Sequence, residues 1–288
     1  LFCLLLVLFL AGCQRQQEPV QLAGDTMGTT WHVSYVSDLP SLTQEQVQQG
    51  IEAQLEQVNR AMSTYINDSE ISRFNALAPH NWFKSSPAFF TVLSAALDVG
   101  HKSEGAYDVT VMPLVNLWGF GPKGITDTAP DTRDIAKLLE QVGQNNLRLD
   151  SENHRVMKLR DLSLDFSSLA KGYGVDRVAE WLTAQGIHRF MVEVGGEMRL
   201  SGLSGRSDPW RIAIEKPESS GRSVAVTICL SDVGVATSGD YRNYFEADGR
   251  RYSHIIDPRT GYPVAHDLVS VTVVHATSMI ADAWATAL

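Results

Sequence analysis

Helical periodicity dominates the first part of this chain and strand-like alternation the second, with no regular exchange between the two. That order most constrains the fold, because a doubly wound parallel sheet needs a helix after nearly every strand. Val47, Ile51, Leu55, Val58 and Met62 recur at helical spacing. Residues 44–62 therefore read as an amphipathic helix, opened by the capping box Thr43-Gln-Glu-Gln46. Ser86-Pro87 opens a second helix reaching about Lys102, since proline lacks only an N–H that a first turn leaves unpaired. A third spans roughly 133–142 and a fourth about 169–185, stopped at Gly143 and Gly186. Strands are expected at 31–36, 190–194, 210–215, 224–230, 252–256 and 268–275, with a final helix at 279–288. Neither an internal repeat nor a low-complexity linker divides this pattern, so the expectation is one large α+β domain.

The start of the chain belongs to transport rather than to the fold. Residues 1–10 form an almost unbroken apolar run. It is too short for a bilayer, which takes about 20 residues, and fits the core of a secretory signal. Leu10-Ala11-Gly12-Cys13 resembles a bacterial lipobox, in which the Cys13 thiol receives lipid and the peptide is cut before it. The competing reading is a plain secretory signal with an incidental cysteine. The expected organisation is a signal peptide at 1–12, a lipid-anchored tether at 13–22 and a folded domain at 23–288. Gln14 after the cysteine points to the outer rather than the inner membrane, on its periplasmic side. The chain begins without Met or a basic n-region and ends inside an apolar helix, so residues are expected beyond both ends.

Charge and cysteine usage narrow the partners. A net charge of −9 with no basic cluster argues against nucleic acid, whose phosphates call for grouped Lys and Arg. A polyanion can still bind if a divalent cation or a few local cations neutralise it. With Cys3 in the removed segment and Cys13 lipidated, only Cys229 remains, so no internal disulfide can form. Cys229 sits in an apolar run and is expected to be a buried packing residue.

Several short segments concentrate glycine, small hydroxyl residues and carboxylates. They are Met27-Gly-Thr-Thr30, Met62-Ser-Thr-Tyr65 with Ser69-Glu-Ile-Ser72, Gly105-Ala-Tyr-Asp-Val-Thr110, and Leu164-Asp165 with Ala170-Lys-Gly-Tyr173. Further on come Glu193-Val-Gly-Gly-Glu197, Ala236-Thr-Ser-Gly-Asp240, Ser253-His-Ile-Ile-Asp-Pro-Arg-Thr-Gly261, and Ala281-Asp282 with Thr286. Singly, each could be a turn or a helix end. Together, and in this order, they resemble the ApbE-type FAD:protein FMN transferases over nearly the whole chain past the tether.

That resemblance implies an ApbE-like, T-fold-like core of antiparallel sheet packed with helices. It also implies an enzyme that binds FAD as substrate, passes FMN to a Ser or Thr hydroxyl of a target protein and releases AMP. Such phosphoryl transfer needs charge neutralisation, positioning and a base. Magnesium is the implied cation, held by Asp282, Thr286 and the carbonyl of Ser168. Asp282 and Thr286 lie four apart on the expected final helix and so share a face; without the resemblance, Asp282 reads as a helix-end charge and Thr286 as packing. Met27, Tyr65, Ala106, Tyr107, Asp108, Asp165, Lys171 and Ile256 match the family's FAD contacts. A tyrosine can stack on a flat ring, Asp165 can accept from a sugar or adenine donor, and Lys171 can offer a point charge. His254 is the expected base, and Asp257 either orients its imidazole or acts itself. Arg259 either binds phosphate or solvates its turn.

Two other functions share parts of this set. A non-catalytic FAD-binding lipoprotein would need neither the Asp282/Thr286 pair nor His254, and a metal-dependent FAD pyrophosphatase would use water as acceptor. The implied targets are flavoprotein subunits of exported or membrane redox complexes. A thiamine-related role finds no cysteine cluster for an iron–sulfur centre.

Overall fold

The computed structural model of the chain describes residues 17–36, 42–122, 124, 128–217, 223–241 and 243–288. The expected signal peptide and lipidated Cys13 lie outside the described residues. A hairpin comes first: β1 (Val20–Thr26) and β2 (Thr29–Val36), joined by Met27-Gly28. Strand β1 thus takes up residues 20–22, which the sequence assigned to the tether. Both turn residues have positive φ, +48° at Met27 and +72° at Gly28, the two-residue geometry that suits strand twist. Gly28 adopts it freely, whereas Met27 does so at a cost of about 1–2 kcal/mol.

Helix α1 (Gln44–Met62) starts at the expected capping box and leads to α2 (Glu70–Ala76) and β3 (Trp82–Lys84). Ser86 caps α3 (Pro87–Lys102), and the buried Glu70 carboxylate accepts from both its N–H and its hydroxyl. Then come α4 (Met112–Leu117), α5 (Thr132–Leu139), β4 (Leu147–Asp150), β5 (Arg155–Lys158) and α6 (Ala170–Ala184). The strand-rich half contains β6 (Arg189–Val194), β7 (Glu197–Ser201), β8 (Trp210–Glu215), β9 (Val224–Leu230) and β10 (Gly234–Gly239). It closes with β11 (Tyr244–Ala247), β12 (Arg250–Ser253), β13 (Ser270–His275) and α7 (Ser278–Ala287).

The main sheet runs β1-β2-β6-β7-β10-β13 with every neighbouring pair antiparallel. The fold is therefore α+β, with helices packed on an antiparallel sheet. Alternation does the work on one face: Trp31, Val33 and Tyr35 of β2 and Phe190, Val192 and Val194 of β6 all point inward. They meet Val47, Ile51 and Leu55 of α1 and Val175, Val178 and Leu182 of α6. Burying such a side chain is worth about 1.5–3 kcal/mol. A second core gathers Phe74, Phe89 and Phe166, the last two with ring centroids 5.2 Å apart.

Some expectations shift. The strand expected at 252–256 ends at Ser253, and the one at 268–275 starts at Ser270. The helix expected at 133–142 ends at Leu139. Cys229 is exposed rather than buried. Among the described residues strand β9 pairs with β8 alone, and Cys229 sits opposite the exposed Arg211 in that ribbon. Among the described residues no helix is long and apolar enough to cross a membrane.

Candidate active site

Helix α7 lies against α6, β10 and β13, and this crossing brings distant segments to one cavity of about 670 Å³. Ala106, Tyr107 and Asp108 line it from the loop after α3, and Ser168 from the entry to α6. His254, Ile256 and Asp257 come from the segment after β12, and Asp282 and Thr286 from α7. A second cavity of about 630 Å³ is lined by Met27, Val58, Met62 and Tyr65. Asp165, Ser167 and Lys171 line both, so the two meet at the start of α6. Every residue singled out for metal, FAD or catalysis faces one cavity or the other.

Lys171 stands at the junction. Its Nζ lies 2.7 Å from Glu197 Oε2, an ion pair off the line of a hydrogen bond. Burial alone would lower the Lys171 pKa, but Asp282 and Glu197 outweigh it and hold the ammonium above its usual range. Burial pushes Glu197, 3% exposed, up to about 8 against the pull of Lys171. It pushes Asp282, also 3% exposed, up to about 6. One ammonium cannot hold two buried carboxylates ionised at low cost, so the cluster retains a proton near neutrality. More positive charge brought to Asp282 would release it.

The donors expected for a cation suit a hard one. Asp282 Oδ2 accepts from the Gly172 N–H at 3.1 Å, leaving the carboxylate room for a further partner. Among the described residues no donor reaches the Ser168 carbonyl: Gly172, which would bond it in a regular first turn, turns to Asp282 instead. The Thr286 hydroxyl lies 3.2 Å from Ser238 Oγ. No group of three or more His, Cys, Asp or Glu able to hold a metal occurs among the described residues. A single carboxylate with a carbonyl and a hydroxyl fits Mg²⁺, which keeps waters and shares substrate phosphates instead of filling a protein cage.

His254 Nδ1 lies 3.1 Å from the Asn243 carbonyl, which also accepts the His254 backbone N–H. A carbonyl only accepts, so Nδ1 carries the proton and Nε2 keeps its lone pair. Burial lowers the His254 pKa, the Asn243 carbonyl opposes this, and the Lys171 charge lowers it further. The neutral imidazole is thus the form held.

Asp257 does not orient that ring. Its carboxylate accepts from the backbone, Nε and Nη2 of Arg259 at 2.8–2.9 Å, which holds it below the usual carboxylate range. A low pKa makes a weak base, and Arg259 is committed to closing this turn. Tyr107 likewise differs from a stacking platform: it is buried, with its hydroxyl 2.8 Å from Ser168 Oγ. Tyr65, 72% exposed beside the second cavity, has a free ring face. Asp108 braces its loop, accepting from Thr110 N and Oγ1 and from Gln144 N. Asp165 Oδ1 accepts from Ser167 N at 2.7 Å.

Three lining residues were not singled out from sequence. Glu197 follows Gly195-Gly196 and Ser238 lies in β10; both stood only within the clustered segments, with no role given to them. Asp240 has a buried Oδ1 without a hydrogen-bond partner among the described residues, 3.9 Å from the nearest Arg251 nitrogen. Only the clustering of such residues in short segments hinted at them.

The ApbE family model matches residues 27–288. The FAD:protein FMN transferase of Vibrio cholerae serotype O1 is 47% identical over 282 residues, covering 98% of this chain and 84% of that protein. The protein of that name from Haemophilus influenzae is 45% identical over 289 residues, with the same coverage of 98% and 84%. Among solved structures, the flavin transferase ApbE from Vibrio cholerae matches with a TM-score of 0.87 at 45% identity, covering 94% of this chain and 86% of that one. The apbe protein from Thermotoga maritima gives 0.84 at 31%, with coverage of 94% and 86%.

Proposed function

Because the chain belongs to the ApbE family, we propose that it is an FAD:protein FMN transferase. The hydroxyl oxygen of a target Ser or Thr attacks the flavin-side phosphorus of FAD. A phosphodiester bond forms, the bond to the bridging oxygen breaks, and AMP leaves with that oxygen. The observation that carries this reading is the junction of the two cavities. Lys171 stands there between room for two flat ring systems, and the hard oxygen donors and the imidazole with a free Nε2 line the first of the two cavities.

Mg²⁺ bound at the Ser168 carbonyl, Asp282 and Thr286 would neutralise pyrophosphate charge and weaken the leaving bond. Lys171 adds a second positive charge, held in place by Glu197. The neutral His254 takes the hydroxyl proton on Nε2 as the new bond forms. Tyr65 offers a stacking face at the second cavity, with Met27 and Met62 as apolar walls. The acceptor is a flavoprotein subunit of an exported or membrane redox complex, and the enzyme works as a lipoprotein on the periplasmic side of the outer membrane.

The test is incubation of protein, FAD, Mg²⁺ and a candidate target, followed by mass spectrometry. A target mass gain of one FMN with matching AMP is expected. Free FMN and AMP with no gain would make it a pyrophosphatase, and unchanged FAD retained on the protein would make it a binding protein.

A further inference from the structure

Helix α7 carries Asp282 and Thr286, yet its own N-cap residue, Thr277, makes no side-chain cap. The cap comes from another helix. Asp176, in the middle of α6 and 7% exposed, accepts from Ser278 N through Oδ1 and from Met279 N through Oδ2, both at 2.9 Å. Two consecutive N–H groups held by the two oxygens of one planar carboxylate fix both the height of a helix and its rotation. Ser278, Asp282 and Thr286 follow at intervals of four and so lie along one face. Whatever fixes rotation at Ser278 therefore fixes where the other two point.

The surroundings hold this seat closely. A Cβ on Gly172 would come within 2.5 Å of the Ser278 carbonyl oxygen, and one on Gly234 within 2.3 Å of its nitrogen. Arg199 of β7 lies 3.4 Å from Asp176 Oδ1 and also donates to the Ala276 carbonyl just before the helix. Asp282 completes the exchange by accepting from Gly172 N in the first turn of α6. Each helix thus supplies the carboxylate that satisfies the other's N-terminal turn. Asp176 itself lines neither cavity.

We infer that Asp176 is a positioning residue for the cation site: it acts through α7 to aim Asp282 and Thr286 at the substrate phosphates. This rests on the proposed cation site. Asp176→Asn keeps the side-chain shape but sets an amide donor against one of the two N–H groups. Mg²⁺ is titrated in the presence of ADP, an unreactive probe with the same adenosine pyrophosphate, and binding is read by calorimetry and by thermal shift. The half-saturating Mg²⁺ should rise about tenfold, while ADP affinity without metal stays unchanged. Gly50→Ala, which disturbs the α1–α6 contact away from α7, lowers thermal stability and should leave the Mg²⁺ midpoint alone. Should Asp176→Asn fail to fold, Arg199→Met leaves the clamp in place but unbraced and should move the midpoint the same way by less. An unmoved midpoint in the folded variants, or an equal movement in Gly50→Ala, would overturn the inference. If the unaltered protein with ADP shows no Mg²⁺ response at all, the cation site itself fails, and this role with it.

Discussion

His254 shows how a single side chain can be read only in part from sequence. Its segment and its capacity to titrate near neutrality were visible, but its partner was not. Asp257, three residues on, was expected either to orient the ring or to act itself, yet an Asp-Pro-Arg turn closes on itself: the carboxylate finds its own Arg259 before any imidazole. The partner is a backbone carbonyl, Asn243, whose residue type carries no signal. The direction of the pKa shift makes this testable. Burial and the Lys171 charge lower the His254 pKa, so the imidazole stays neutral below the ordinary value of about 6.5. A base is lost only when it is protonated. The rate of transfer should therefore hold level from pH 8 down past that value and fall only below it, read as kcat/KM against pH. His254→Gln should slow transfer by about 10²–10⁴ and remove the histidine's part of the acid limb, leaving that of Asp282, with FAD binding retained. A variant that keeps both the rate and the limb would remove His254 from the chemistry.

At the scale of elements, what could be read was whatever pattern and local chemistry settle together. Helix α1 runs from the capping box to Met62 as its spacing predicts, and α3 starts at Ser86-Pro87 for the same local reasons. The strands that were missed lack such a signature. Strand β10 is Gly-Val-Ala-Thr-Ser-Gly, short and small, and it exists because its position between β7 and β13 suits backbone approach to α7. Strand β1 alternates weakly and is held by pairing with β2 along its full length. Glycine inside a helix is the converse case, a locally poor choice that packing requires. A Cβ on Gly50 in α1 would lie 2.0 Å from the Trp181 ring of α6. Alanine there gains about 1 kcal/mol in helix propensity but overpacks by about 1–3 kcal/mol. At the middle of that range the net loss is about 1 kcal/mol, so Gly50→Ala should lower the melting temperature by roughly 2–4 °C, measured by scanning calorimetry. A rise would mean that Trp181 swings aside freely and that this helix contact is loose.

Along the chain, the proposed anchor and the residues that line the cavities are separate stretches. Every lining residue of both cavities lies at or beyond Met27. The first described strand begins only at Val20, seven residues after Cys13. Near the start of the described chain, Gln17 N donates to the Gly205 carbonyl and the Arg189 guanidinium reaches the Gln17 side chain, so the chain is tied to the domain soon after the cysteine. A lipid at Cys13, as proposed, would hold the domain close to a bilayer, while the described residues that line either cavity do not include Cys13. On that proposal anchoring would govern which targets the enzyme meets, and the cavities what it does to them. Cys13→Ser separates the two. In cells the variant should leave the membrane fraction. Once purified, it should modify a soluble target domain with the same kcat and KM as a lipid-free form of the unaltered domain. A variant that stays in the membrane fraction would locate the anchor elsewhere, and one that loses activity on a soluble target would show that the N-terminal segment takes part in the reaction.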